Sequence, residues 1–150
     1  MPIYLALKTL HILSTAAWFG SGLGLPGDIR RTLEQGRPHA DLLVSRVTRS
    51  YRILFGGAIL TVLTGLGLIF HLGGFARVGS GIHAGFGITL IILLMEVILV
   101  RPTWGRIAGI IRTGDPDLDE AKRLAGRLAM LHGIEHLLWL GVLILMVSRV

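Results

Sequence analysis

Five of the six histidines sit in or at the ends of long apolar runs: His11 in the first run, His71 closing the second, His83 opening the third, His132 and His136 in the fourth. An imidazole inside a lipid-facing segment is costly unless it ligates something or meets a polar partner. Imidazole nitrogen binds iron, copper and zinc and carries protons near neutral pH. Ligation of haem iron, ligation of a bare metal and proton relay are therefore the chemistries this set offers. There is no cysteine, which excludes a structural disulfide, a thiolate iron–sulfur cluster and covalent c-type haem attachment. Any metal or haem must be held by histidine, carboxylate, methionine or backbone.

The elements that carry these residues follow from hydropathy. The chain has 150 residues, 52% of them hydrophobic, with a mean hydropathy of +0.70. A membrane span needs about 20 mostly apolar residues, and residues 3–25, 53–72, 82–100 and 128–147 meet that need. Lipid offers no partner to backbone polar groups, so each span must be helical. Short connections make neighbouring helices antiparallel. The expected fold is all-α: one integral membrane four-helix bundle over 1–150, antiparallel and up-down. The first run is too long for a signal peptide and no basic residue precedes it, so it reads as a retained span.

The net charge of +6 is consistent with nucleic-acid binding, but its distribution argues against that. Arg30, Arg31, Arg37, Arg46, Arg49 and Arg52 lie between spans one and two. Arg101, Arg106, Arg112, Lys122, Arg123 and Arg127 lie between spans three and four. The loop between spans two and three has only Arg77, and the C-terminal tail only Arg149. This is the positive-inside pattern. It places both long loops in the cytoplasm and both termini on the outer, periplasmic side of a bacterial inner membrane. Lys8, within the first span, can snorkel outward.

Local signals fill in the connections. Pro26 and Gly27 end or kink the first helix. Residues 39–51, after Gly36, Arg37 and Pro38, read as an amphipathic helix continuing into span two. Asp115 and Pro116 form a cap with proline at the first helical position, and Asp117, Asp119 and Glu120 suit the positive end of a helix dipole. Helices two and four then project beyond the bilayer. The glycine-rich stretch 73–81 is an interhelical turn.

Helical periodicity groups His11, Thr15, Trp18 and Gly22 on one face, as it does Gly57, Thr61, Thr64, Leu68 and His71. The same spacing joins His83, Gly87, Leu90 and Leu94, and His132, Glu135, His136 and Trp139. Polar, small-residue stripes of this kind face protein or a cofactor rather than lipid. A rise of 1.5 Å per residue puts His11 about 12 Å below the outer surface, with His71, His83 and His136 also in the outer half. A b-type haem fits: it needs one or two axial imidazoles and an apolar sleeve. His11 is the first expected ligand and His83 its partner, with His136 or His71 as substitutes. Trp18 and Trp139 are placed to flank the ring, and Gly22, Gly85 and Gly87 to let it approach the backbone.

Plainer readings stand beside these. His71 and His83 also suit the membrane interface, His39 is a solvated loop residue, and Trp104 is an interface anchor. Pairs such as Gly20 and Gly24, or Gly81 and Gly85, also serve plain helix packing. Glu96 is expected to pair with an arginine such as Arg52. The run from His132 to His136 spells H-x-x-E-H. Two histidines at i, i+4 can hold copper or zinc, yet a peptidase needs a third ligand and a substrate cleft. Glu135 with His132 also suits a proton relay.

The segment Leu7-Lys8-Thr9-Leu10-His11-Ile12, with Trp18-Phe19-Gly20 and Leu25-Pro26, resembles small bacterial four-helix membrane proteins. These are the HemJ-type protoporphyrinogen oxidases, the copper-resistance D family and a related uncharacterised branch. Tyr51-Arg52-Ile53 and Ile82-His83-Ala84 extend the likeness. The first resemblance implies haem b on the histidine matching His11, and a histidine-x-lysine pattern opening helix three with the lysine needed for activity. This chain reads His83-Ala84-Gly85 there, so the lysine is absent and oxidase activity is not expected. The second implies copper handling, but Met1, Met95, Met130 and Met146 do not cluster in sequence. The chain lies nearest the uncharacterised branch. The leading expectation is a haem b membrane protein for electron transfer or haem-linked redox work. The alternatives are copper or zinc handling, and a non-catalytic subunit packed on a larger membrane complex. Glycine-rich faces would serve such a partner, or a second copy of the chain.

Overall fold

The computed structural model describes residues 2–37, 39–114 and 118–148. The expected cap at Asp115 and Pro116, Asp117, Pro38 and Arg149 lie outside these. Among the described residues all regular structure is helical. Helix α1 is Pro2–Leu23, α2 is Leu25–Glu34 and α3 is His39–His71. Helix α4 is Ser80–Arg112, with a wider π turn over Glu96–Val100, and α5 is Asp119–Val147.

Three helices, α3, α4 and α5, are long and apolar enough to cross a membrane. The 22-residue α1 falls short of them in hydropathy, because Lys8, Thr9, His11, Ser14 and Thr15 lie along it. At 33 residues each, α3 and α4 are about 50 Å long, well beyond a hydrocarbon core of about 30 Å. Sequence reading expected helices two and four to overhang. The third is as long as the second, since α4 continues to Arg112 rather than ending near Val100.

Turn chemistry sets the breaks. Pro26 falls in the first turn of α2, where its missing N–H costs nothing, so the chain bends at Gly24 and restarts. Gly36 has φ +70° after α2, a conformation glycine adopts without penalty. Between α3 and α4, Gly73 and Gly74 have φ of +101° and +89°. Their N–H groups bond the carbonyls of Phe70 and Ile69 and so close the end of α3. The π turn in α4 directly precedes Pro102. Proline lacks an N–H and crowds the preceding turn, and a widened turn relieves that crowding.

Packing joins α1 to α3 and α4 to α5. Along the first pair Leu7 meets Gly67, His11 meets Gly65, Trp18 meets Gly57 and Gly22 meets Leu54, so residue numbers fall on α3 as they rise on α1. Along the second, Gly85 meets Val142 and Met146, while Arg106 bonds Glu120. Gly57 is the tightest crossing: an added Cβ would lie 3.1 Å from the Ser14 carbonyl oxygen and the Trp18 nitrogen. The amphipathic α2 buries Leu25, Ile29 and Leu33 in the same core as Leu43, Val47, Ile107, Ala121 and Leu128. Trp104 belongs to this core at 6% exposure and does not act as an interface anchor. Its place follows from the extension of α4, which puts this turn among other helices.

Candidate functional site

Hydroxyl groups knit α1 to α3 around His11. Ser14 and Thr15 both donate to the His11 carbonyl, at 3.0 and 2.6 Å, and Thr61 Oγ1 donates to Ser14 Oγ at 3.1 Å. These bonds satisfy hydroxyls that would otherwise be costly among apolar neighbours. The His11 ring lies edge-on to Gly65, where an added Cβ would sit 3.2 Å from Cε1. Its Nδ1 is 3.1 Å from the Thr61 carbonyl oxygen and 3.0 Å from Thr64 Oγ1. A carbonyl only accepts, so Nδ1 carries the proton and donates. Thr64 spends its own hydrogen on the Leu60 or Thr61 carbonyl. The other ring nitrogen, Nε2, has no hydrogen-bond partner among the described residues and keeps its lone pair.

His11 lines a largely apolar cavity of about 470 Å³. Walls come from all four long helices, with Tyr4, Lys8, Phe86, Trp139 and Met146 among them. The cavity lies at the end of the bundle that holds the start of α1, the turn between α3 and α4, and the end of α5. Lys8 is exposed, with Nζ 5.9 Å from the centre of the Tyr4 ring.

No protein-family model matches the chain, and neither curated proteins nor solved structures give a significant match. The candidate site stands on its own geometry.

A second polar constellation lies deeper. His132 is 2% exposed and Glu135 8%. His132 Nδ1 is 3.0 Å from Glu135 Oε2, and its Nε2 is 3.1 Å from Tyr51 Oη. With Nδ1 donating to the carboxylate, Nε2 accepts the tyrosine proton. Among the described residues Glu135 Oε1 has no hydrogen-bond partner, and neither has Oε1 of the buried Glu96. A void of about 20 Å³, room for one water, touches His132, Glu135 and His136. His136 donates from Nδ1 to the His132 carbonyl at 2.5 Å. Its Nε2 is turned toward Gly22, where a Cβ would come within 3.6 Å.

Other expected site residues are placed apart. His83 is exposed, bonds the Gly79 carbonyl at 3.0 Å and leans on Phe75 at 5.8 Å. His71 is exposed and stacks on Tyr4 at 5.7 Å. Neither lines the His11 cavity. Gly87 faces open space, with nothing within 4 Å of an added Cβ. The stripe His83, Gly87, Leu90 and Leu94 is thus the outward side of α4. Its inward side is Gly81, Gly85, Thr89, Ile92 and Glu96, and Gly85 on it lets Met146 and Val142 of α5 come close. Trp18 and Trp139 touch both the cavity and the small void and stand between them. Glu96 makes no ion pair with Arg52, which is exposed on a separate groove. The H-x-x-E-H run gathers no third ligand: among the described residues no group of three or more His, Asp or Glu is placed to hold a metal.

Tyr51 was missed as a functional residue. Its signal is its spacing: Tyr51, Leu54, Ala58 and Thr61 follow at three, four and three residues, so the tyrosine extends the buried face of α3.

Proposed function

We propose that this chain is a haem b protein of the bacterial inner membrane, four antiparallel spans with both termini outside, serving electron transfer or related redox work. The observation that carries this reading is His11, with Nδ1 anchored on Thr61 and Thr64 and Nε2 unengaged on the wall of a cavity of about 470 Å³. A backbone carbonyl on one imidazole nitrogen orients the ring and raises the basicity of the other, as is usual for metal-bound histidine. The volume lies within the range of cofactor sites, and the lining is the apolar sleeve that a porphyrin requires. His11 would ligate iron, Phe86 and Trp139 would face the ring, and Lys8 with Tyr4 would meet the propionates. When bound, haem supplies reversible one-electron chemistry. The chain's own residues hold the ring, exclude water and fix the His11 tautomer.

The geometry favours haem over a bare metal. Copper or zinc bound by protein alone needs three or four ligands, and the described residues bring no such group together. Haem brings four nitrogens of its own and asks the protein for one or two. The single imidazole on the cavity is His11, so the site suits ligation by His11 without His83.

The test is the absorption spectrum of the purified protein. A Soret band in the wild type that collapses in His11→Ala and persists in His83→Ala is the expected result. Absence of haem from protein made under haem-replete conditions, and no uptake of added haemin, defeats the proposal.

A further inference from the structure

Beyond the apolar part of the bundle, α3 and α4 flank a groove of about 570 Å³ lined by Arg37, Arg49, Arg52 and Arg112, with Asp41 and Thr48. Asp41 is taken by Arg37, at 2.5 Å, and Arg37 also bonds the Ile111 carbonyl at 2.8 Å, tying the turn before α3 to α4. Among the described residues no carboxylate pairs with Arg49, Arg52 or Arg112. Four basic residues outside the groove are paired with carboxylates: Arg30 with Glu34, Arg46 with Asp28, Arg106 with Glu120 and Lys122 with Asp119. Among the described residues that line the groove, four guanidiniums stand against one carboxylate, an excess of three positive charges. Guanidinium forks match the geometry of phosphate oxygens.

Height in the bundle indicates which phosphate. Arg52 immediately precedes Ile53, the start of the apolar stretch of α3, and Ile53 is itself half exposed. The groove therefore sits where the polar and lipid-facing parts of α3 meet. Basic pockets between helices at this level on the cytoplasmic side take anionic headgroups.

We propose that this groove holds the phosphate of an anionic phospholipid from the cytoplasmic leaflet, chiefly through Arg49, Arg52 and Arg112. The inference rests on the membrane-embedded reading above and is independent of haem.

The test uses full-length protein in a neutral detergent, with native mass spectrometry scoring retained phosphatidylglycerol against phosphatidylcholine. Retention of phosphatidylglycerol should weaken roughly 100-fold in Arg49→Gln/Arg52→Gln/Arg112→Gln, at about fivefold per surface arginine. It should hold in Arg31→Gln/Arg123→Gln, whose arginines lie outside the groove. Arg52→Gln alone, expected to lose about fivefold, serves if the triple variant does not fold. Equal retention by groove variants and wild type overturns the proposal. So does full displacement of the lipid by millimolar inorganic phosphate, which would make the groove a free-phosphate site. Protein that lacks a Soret band and still shows the lipid result defeats the haem reading alone.

Discussion

Oγ1 of Thr64 lies 3.0 Å from Nδ1 of His11 and sends its own hydrogen to the Leu60 carbonyl at 2.6 Å. The hydroxyl can therefore only accept from the imidazole, which places the ring proton on Nδ1 and the lone pair on Nε2. Thr64→Val keeps the shape and removes this acceptor, leaving the Thr61 carbonyl alone. Loss of one such outer partner typically costs 10- to 100-fold in affinity for a bound metal. Haem titration followed by absorbance should show a loss toward the lower end of that range in Thr64→Val, and none in Thr64→Ser. Unchanged affinity in Thr64→Val would mean the threonine is only packing.

Two glycines at helix crossings, Gly57 and Gly85, differ in what they face. At Gly57 an added Cβ meets backbone atoms of Ser14 and Trp18 at 3.1 Å, and neither can move without shifting α1. At Gly85 it meets Cγ and Cε of Met146 at 3.1 and 3.2 Å, the flexible end of an unbranched side chain. Gly57→Ala should cost about 1–3 kcal/mol, as overpacking commonly does, while Gly85→Ala should stay within about 1 kcal/mol. Thermal unfolding of the two variants in the same detergent checks the order. A larger loss at Gly85 would show that the α4–α5 contact is the more rigid.

Tyr51 Oη and Glu135 Oε2 occupy the two nitrogens of the buried His132 ring. Tyr51→Phe removes one partner and leaves Nε2 of the buried ring without it, at a cost of about 1–3 kcal/mol. His132→Leu strips Glu135 of its partner and should cost more, about 3–5 kcal/mol. The double variant His132→Leu/Glu135→Leu removes the orphaned group as well and should recover much of that loss. Denaturant or thermal unfolding of the three variants measures the coupling; additive losses would show that the groups do not act as a unit.

Much of this arrangement is legible in the sequence. Runs of apolar residues give the long helices, and the stripes on α1 and α3 turn inward at Trp18, Gly22, Thr61 and Thr64, which are buried, while His71 at the end of the second stripe is exposed. The rotation of α4 is not legible, because it offers two small-residue faces: Gly81 and Gly85 on one, His83 and Gly87 on the other. Close approach of Met146 and Val142 selects the first, and that choice depends on a partner helix 57 to 61 residues away in the chain. Periodicity gives a face; only packing decides which face is turned inward. The burial of Glu96 is hidden for the same reason. In sequence it precedes Arg101 and resembles an interfacial acid, whereas the π turn beginning at Glu96 leaves it 2% exposed.

Glu96 therefore gives the sharpest test of whether stability has been yielded to function. One of its carboxyl oxygens is buried without a hydrogen-bond partner among the described residues, which leaves the desolvation of that atom without an offsetting bond. Buried ionisable groups replaced by apolar ones of similar size often leave a protein more stable, by about 1–4 kcal/mol. Glu96→Leu should raise the unfolding temperature, and Glu96→Gln should be close to neutral, since it keeps the polar atoms. If the carboxyl takes part in redox-linked proton movement beside His132 and Glu135, the stabilised Glu96→Leu protein should keep its Soret band. The pH dependence of its haem midpoint potential should become shallower than in the wild type. A potential that follows pH as before would make Glu96 a spectator, and a fall in the unfolding temperature would mean that this carboxyl supports the fold through contacts its geometry does not display.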